Sequence, residues 1–264
     1  MNSYVKVRYD QHARGRIAFV SIDNPAKLNS LSSPVMAEFT DLFRGLAGDL
    51  ALRAVVLSGA GDTAFIGGAS IDEMAALDGP ESARAFILKV HGCCKAIRDT
   101  PVPVIAAING WCLGAGLEIA AACDLRLAVD TAQFGMPEVK LGLPSVVEAA
   151  LLPSLIGWGR TRRILMTGET FGAADALAWG LVEEVHPRAL LFAAVEDLLD
   201  KLLQAEPRAV QIQKALIRAW EDLPASQAIA AGVEAFEDAW TTDEPANALA
   251  GFLAARARAR AKKR

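Results

Sequence analysis

Residues 102–123 read VPVIAAINGWCLGAGLEIAAAC, and the rest of the chain can be interpreted outward from this stretch. The apolar run Val104–Ile108 is typical of one buried strand. The Asn-Gly pair at 109–110 indicates a turn, the small residues at 114–116 allow close packing, and 117–122 favours a helix. The stretch therefore predicts a strand, a tight glycine turn and a helix.

Glu118 lies near the start of that predicted helix. The first turn of a helix has unpaired N–H groups and a partial positive charge, and Gly or Ala there lets a ligand oxygen approach the backbone. A backbone anion site beside a carboxylate is an arrangement suited to catalysis. The alternative is an ordinary glycine turn with Glu118 on the helix surface.

The composition indicates a folded protein with a large core. The chain has 264 residues, of which 53% are hydrophobic, and this length suggests one or two domains. A net charge of −4 argues against a nucleic-acid partner. Residues 256–264 carry six basic side chains, so the residues before them sum to −10. This tail is interpreted as the solvated end of a helix, with an anion-binding end as the alternative.

The cysteines and histidines indicate no disulfide framework and no metal site. Two of the four cysteines are adjacent, none has metal-ligand spacing, and there are three histidines. The N-terminus MNSYVKVRYD has no apolar signal core, and no apolar stretch reaches the length of a membrane span. We therefore expect a cytoplasmic protein that does not enter a membrane.

The residues before the opening stretch predict a hairpin, a helix and a core strand. Alternating and apolar runs favour strands at 4–9 and 16–22. Ser33 is expected to cap a helix that has Pro34 at its first position. A further core strand is expected at 53–57.

Residues 58–64, SGAGDTA, follow that strand and superficially match a dinucleotide-binding fingerprint. The glycines of such a fingerprint open a helix. Here FIGGAS at 65–70 follows, with two more glycines, so a loop with a second backbone turn is predicted instead, and a helix near Ser70.

Downstream, the pattern becomes increasingly helical. Helices are predicted at 81–97, 160–167 and 173–179, a strand at 124–129, and an irregular stretch at 133–143. Residues 180–185 are interpreted as a helix stop followed by a short strand. Ser145 and Glu148 match the capping-box pattern, which predicts a helix opening there. From residue 189 the pattern is helical, with breaks near Pro207, Pro224 and Pro245. Strand–turn–helix units start at Arg16, Arg53 and Val102.

Several motifs occur in a fixed order along the chain. They read NPAKLNSL at 24–31, AFIGGA at 64–69, NGWCLGAGLE at 109–118, FGMPEVKLGL at 134–143 and ALAWGLV at 176–182, followed by Phe236, Trp240, Phe252 and Arg256 on the terminal helices. In order and spacing, this set resembles the enoyl-CoA hydratase/isomerase (crotonase) superfamily over nearly the whole chain.

The resemblance implies an α/β fold in which a crotonase-like spiral of ββα turns, residues 1–186, holds the acyl-CoA site. A C-terminal helical region, residues 187–264, would serve trimerisation, giving a homotrimer or a dimer of trimers. The implied substrate is an acyl-CoA thioester, so CoA is part of the substrate and no separate cofactor or metal is expected. The shared chemistry of the family is a thioester enolate held by two backbone N–H groups.

Carried over by position, the two N–H donors belong to Ala69 and Ala115, and the two glutamates of the hydratases fall on Glu118 and Glu138. The positions expected to bind the acyl group or CoA are Ala26, Lys27, Phe65, Gly67, Ile71, Trp111 and Gly114. Packing is the alternative role for Phe65 and Trp111, and contact with solvent alone is the alternative for Lys27.

These groups suit the hydration of a 2-enoyl-CoA, which is the leading hypothesis. Negative charge develops on the thioester oxygen as water attacks C3, and two fixed N–H donors stabilise it. Two carboxylates that share one water can accept a proton from it and supply one to C2, because crowded carboxylates tend to differ in pKa.

The chain also departs from the family pattern. Ser70 and Asp72 stand where many hydratases carry Asp and Lys, which removes an expected CoA contact. Residues 144–148, PSVVE, replace a glycine-rich turn, so we expect a reshaped acyl pocket with Glu148 as a capping residue near it. An isomerase or a thioester hydrolase using the same site, and a non-catalytic acyl-CoA-binding protein, remain as alternative functions.

Overall fold

A computed structural model describes residues 3–261. Their strands are β1 Val5–His12, β2 Gly15–Ile22, β3 Leu52–Gly59, β4 Ala64–Ile66, β5 Val104–Ile108, β6 Trp111–Leu113, β7 Leu125–Val129, β8 Gln133–Gly135, β9 Thr170–Gly172 and β10 Glu184–His186. Their α-helices are α1 Ser33–Ala47, α2 Ile71–Ala75, α3 Pro80–Asp99, α4 Ala115–Ala122, α5 Leu152–Thr167, α6 Ala173–Trp179, α7 Leu191–Gln204, α8 Pro207–Asp222, α9 Ala225–Ala239 and α10 Glu244–Ala261.

The strands form two sheets. The first has the order β1-β2-β3-β5-β7-β10, in which β1 and β2 form the expected antiparallel hairpin and the other neighbours are parallel. The second has the order β4-β6-β8-β9 and is parallel except for β8 with β9. Three successive strands of the first sheet are each followed in the chain by a strand of the second, which is the repeated ββα turn that the family resemblance implied.

The most buried strand is β5, in which all five residues are fully buried. It lies between β3 and β7, so its continuous apolar sequence is what a strand covered on both faces requires. The turn after β5 is fixed by Asn109, whose side-chain amide donates to the carbonyls of Gly59 and Gly61 at 2.8 and 2.7 Å. This amide joins the end of β3 to the turn after β5, and the two glycine turns of the site follow the next strands in the chain, β4 and β6.

Three local predictions are wrong. A short strand, β6, separates the Asn-Gly turn from α4 and pairs with β4 and β8. The sequence did not reveal it, because three residues are too few to show the period of a strand. Ser33 is the first residue of α1 rather than its cap, and its hydroxyl donates to Glu73 at 2.6 Å. The stretch 133–143 is not irregular throughout, since it contains β8 and the 3-10 turn Pro137–Leu141.

The chain divides into two compact units, one up to Asp200 and one from Lys201 onward. The predicted helix breaks in the second part are confirmed: Pro207 begins α8 and Pro224 immediately precedes α9. Residues 262–264 of the basic tail lie outside the described residues. Between residues 3 and 261, no helix is long and apolar enough to cross a membrane.

Candidate active site

A cavity of about 340 Å³ lies within the first unit. Most of its lining is apolar, and the charged residues among the lining are Arg84, Glu118 and Glu138. The lining comes from the two glycine turns, from α2 and α3, and from residues 137–146. It consists of Gly67, Gly68, Ala69, Ile71, Met74, Leu77, Ala83, Arg84, Phe86, Ile87, Val90, Leu113, Gly114, Ala115, Glu118, Pro137, Glu138, Leu141, Leu143, Pro144, Ser145 and Val146.

The first glycine turn, residues 67–69, is held by the segment 28–31. The N–H of Gly67 donates to the Leu28 carbonyl, and the N–H of Leu31 donates to the Gly68 carbonyl, both at 2.8 Å. On the other side of Ala69, the N–H of Ser70 donates to the Leu31 carbonyl at 2.9 Å. Within residues 3–261, the Ala69 N–H itself has no hydrogen-bond acceptor.

The second glycine turn places the start of α4 beside the cavity. Gly114, which precedes α4, has φ +52° and ψ −121°, a conformation that an L side chain rarely adopts. Its N–H donates to the Gly135 carbonyl at 2.9 Å, which joins this turn to β8. Ala115 is the first residue of the helix, and its N–H also has no acceptor among the described residues.

Close packing brings the two turns together. A methyl group added to Gly116 would lie 2.1 Å from the Ile66 carbonyl oxygen, so only glycine allows α4 to approach the end of β4 this closely. Since Ala69 follows Ile66 by three residues, this contact sets the first turn next to the helix start. Two unpaired N–H groups therefore belong to residues that line one cavity.

Glu118 lies on the first turn of α4 and is 4% exposed. Its Oε1 accepts a hydrogen bond from the Ala149 N–H at 3.3 Å. Burial raises the pKa of Glu118 to about 8; the negative charges of Glu138 and Glu148 add to this rise, and the Ala149 N–H opposes it. This shift favours the protonated form of Glu118 at neutral pH.

Glu138 reaches the same cavity from the 3-10 turn that follows β8. A methyl group on Gly114 would lie 2.5 Å from Glu138 Oε1, so this carboxylate lies directly against the second glycine turn. The hydroxyl of Ser145 donates to Glu138 Oε2 at 2.8 Å. The structure thus brings together two carboxyl groups and two backbone N–H groups that have no acceptor among residues 3–261.

The other predicted binding positions divide into two groups. Gly67, Ile71 and Gly114 line the cavity. Ala26, Lys27, Phe65 and Trp111 are not among the described residues that line it. Phe65 is fully buried, and the Lys27 ammonium forms an exposed ion pair with Asp72 at 2.7 Å, so direct roles for these residues in binding remain predictions.

The capping role predicted for Ser145 and Glu148 is wrong. Val146 is extended and Val147 has φ +40°, so no α-helix can open at Ser145, and α5 begins only at Leu152. Ser145 instead binds Glu138, and Glu148 binds His91. No local pattern reveals these contacts, because they join residues from separate elements.

The sequence analysis also missed the contribution of α3 to the cavity. Phe86, Ile87 and Val90 line it from one face of the helix, with Arg84 one turn earlier. These apolar residues lie three and four positions apart, and this pattern could have identified the face from the sequence. Only the structure shows that the face meets the site and not another part of the core.

The model of a family described as enoyl-CoA hydratase/isomerase matches residues 12–259. The chain belongs to the enoyl-CoA hydratase/isomerase family. It is 33% identical over 240 residues to the short-chain-enoyl-CoA hydratase of Clostridium acetobutylicum, covering 90% of this chain and 92% of that protein.

Other relatives of this family member support the fold and show variety in substrate. The crystal structure of an enoyl-CoA hydratase from Bacillus anthracis aligns with a TM-score of 0.87 and 30% identity over 93% of this chain and 95% of that one. The (E)-benzylidenesuccinyl-CoA hydratase of Thauera aromatica is 33% identical, covering 81% of this chain and 83% of that protein. The crotonase-like α/β fold expected from the sequence is confirmed.

The raised pKa of Glu118 predicts how stability depends on pH in this family member. Between the ordinary value of 4.5 and about 8, the folded state holds a proton that the unfolded state has lost, so stability falls as pH rises. Glu118→Gln removes this dependence. We expect the variant to match the wild type near pH 5 and to exceed it by about 3 kcal/mol near pH 8.5.

Urea unfolding of both proteins at each pH and at one protein concentration measures this difference. Glu81→Gln, at an exposed position on the first turn of α3, is the matched control. A stability difference between Glu118→Gln and the wild type that stays constant with pH would contradict the assignment of the proton to Glu118.

Proposed function

We propose that this protein adds water to 2-enoyl-CoA thioesters and forms 3-hydroxyacyl-CoA. The observation that carries the proposal is the convergence of Glu118, Glu138 and the free N–H groups of Ala69 and Ala115 on one cavity. Family membership supports it, as do relatives that are named enoyl-CoA hydratases.

In this proposal, the two N–H groups form an oxyanion hole. When water attacks C3 of the enoyl thioester, negative charge moves to the thioester oxygen. Two preorganised donors stabilise that charge where it develops, and one such donor typically contributes about 3 kcal/mol. Ala115 lies at the N-terminus of α4, so the helix dipole favours the same charge.

The two carboxyl groups carry the protons. The oxygen of water bonds to C3, one of its protons passes to an ionised carboxylate, and C2 takes a proton from a protonated carboxyl. Because the protonated form of Glu118 is favoured at neutral pH and Glu138 accepts a hydrogen bond from Ser145, the pair begins with one donor and one acceptor. After one turnover the two carboxyl groups together again hold one proton, so the reaction leaves their total number of protons unchanged.

The apolar lining indicates that the acyl group occupies the cavity. Side chains from α2, α3 and residues 141–146 supply this lining. The reshaped segment 144–148 contributes Pro144 and Val146 to it, which supports an acyl pocket that differs from those with a glycine-rich turn.

We also propose that the protein assembles as a homotrimer or a dimer of trimers through its C-terminal helices. Large apolar side chains of this part are exposed in the single chain, including Ile229 and Phe236 at 71% each and Phe252 at 64%. Such surfaces are typical of protein interfaces. Light scattering of the purified protein gives the number of copies.

The test is an assay of the purified protein with crotonyl-CoA and with longer and branched 2-enoyl-CoAs. We expect the enoyl-thioester absorbance to fall and 3-hydroxyacyl-CoA to accumulate. Accumulation of a 3-enoyl-CoA would indicate an isomerase, and release of free CoA would indicate a hydrolase. Binding of CoA esters without turnover of any of them would indicate a non-catalytic acyl-CoA-binding protein.

A further inference from the structure

One short segment, residues 145–149, contacts both carboxyl groups of the proposed active site. Its first residue, Ser145, donates to Glu138 Oε2 at 2.8 Å. Its last residue, Ala149, shares its N–H between the Val146 carbonyl at 2.9 Å and Glu118 Oε1 at 3.3 Å. The position of this segment therefore sets the orientation of both carboxyl groups.

The segment is attached to α3 by a hydrogen-bond contact between the side chains of Glu148 and His91. Glu148 is 7% exposed, and its Oε1 lies 2.7 Å from Nδ1 of His91, which is half-exposed on α3. Its Oε2 is buried and has no hydrogen-bond partner among residues 3–261. Burial of a carboxyl group with so few hydrogen bonds is costly. His91 supplies one contact at 2.7 Å, and the Cys94 thiol also interacts with the Glu148 side chain.

The backbone next to the contact between His91 and Glu148 is strained. Val147 has φ +40°, a value that β-branched residues rarely adopt. Strain of this kind persists only when the surrounding contacts hold it. Val147 lies between Val146, which lines the cavity, and Glu148, which binds His91. The contact between His91 and Glu148 is therefore one of the interactions that can hold this turn in a conformation that its own backbone disfavours.

We propose that His91 and Glu148 form a positioning pair, which anchors the segment 145–149 so that Ser145 and Ala149 hold the two carboxyl groups in place. This inference rests on the proposed hydratase function. Neither His91 nor Glu148 belongs to the described residues that line the cavity, so the pair acts through the segment and not by contact with substrate.

The first test separates positioning from substrate binding. Glu148→Ala and His91→Ala are each expected to lower kcat by about 10- to 100-fold, because small displacements of reacting groups are costly, with KM changed by less than about threefold. Glu148→Gln keeps an oxygen that can accept from His91, so it is expected to recover most of the lost kcat. The double alanine variant is expected to resemble the single ones, since both remove one interaction.

The matched control is His186→Ala, which removes a second His–Glu pair of the same length, 2.7 Å to Glu184, on β10. It is expected to leave kcat unchanged. An unchanged kcat in Glu148→Ala, a rise in KM alone, or no recovery in Glu148→Gln would overturn the proposal. Should Glu148→Ala fail to fold, His91→Ala removes the partner from the half-exposed side and decides between the same outcomes.

The closing experiment does not require turnover. Hydrogen–deuterium exchange of a peptide that covers residues 145–151 is measured in the wild type, His91→Ala, Glu148→Gln and His186→Ala. We expect exchange to be about tenfold faster in His91→Ala alone. If the wild type hydrates no enoyl-CoA, the proposed function fails, but the exchange still decides whether the pair holds the segment. Equal exchange in all four proteins overturns the positioning pair even if hydration is found.

Discussion

Glu138→Gln is expected to lower kcat for hydration of a 2-enoyl-CoA by about 10²- to 10⁴-fold, which is the usual contribution of a positioned acid or base. Gln keeps the size of the side chain and the acceptor for the Ser145 hydroxyl but can neither take nor give a proton. Glu118→Gln is expected to cause a loss of the same order, because hydration needs both a proton donor and a proton acceptor. The loss of enoyl-thioester absorbance measures both rates.

The control for this prediction is again Glu81→Gln, whose exposed side chain does not belong to the described lining of the cavity. Binding of a CoA ester by calorimetry shows whether the variants keep the pocket. If both Glu→Gln variants hydrate crotonyl-CoA at the wild-type rate, the two-carboxylate mechanism is wrong. If one variant loses activity and the other keeps it, a mechanism with a single acid–base group replaces it.

Ala115→Pro is expected to lower kcat by about 10²- to 10³-fold, because it removes one N–H of the proposed oxyanion hole. Ala115 is the first residue of α4, and proline is well tolerated at the first position of a helix, where its fixed φ fits and its N–H is not used by the helix. The substitution therefore removes a donor at a position where α4 can remain folded.

Ala115→Gly is the matched variant, since it keeps the N–H and changes the side chain by one methyl group. We expect the glycine variant to be at least about 100-fold faster than the proline variant. Far-UV circular dichroism and the melting temperature show whether α4 and the fold are retained. Equal rates in the two folded variants would show that the Ala115 N–H does not stabilise the transition state.

Glu118→Gln is expected to change stability and activity in opposite directions. In the proposed mechanism Glu118 takes part in proton transfer, and its burial also lowers stability above pH 5, so Glu118→Gln is expected to be more stable and less active. Active sites often contain groups that are unfavourable for stability. If Glu118→Gln gains stability and loses activity, Glu118 serves the function of the protein rather than its stability.

Local sequence predicted much of the fold. The apolar run of β5, the hairpin of β1 and β2, and the helix breaks at Pro207 and Pro224 follow from hydrophobic period and from the backbone limits of proline. The local sequence did not predict β6, because a strand of three residues depends on its partner strands more than on its own composition. The strand–turn–helix units that start at Arg16, Arg53 and Val102 already suggested repeated ββα turns, and the family resemblance implied that these turns form a spiral.

The sequence by itself determined which chemical groups are available: two glycine turns, Glu118, Glu138 and the departure at 144–148. Tertiary structure decided which of these groups meet, because the contacts of the site join distant residues. The buried environment that raises the pKa of Glu118 exists only in the fold. The same holds for the pairing of Glu148 with His91, 57 residues apart, where sequence alone predicted a helix cap. Electrostatic and hydrogen-bond energies depend on distance in space, and separation along the chain does not predict that distance.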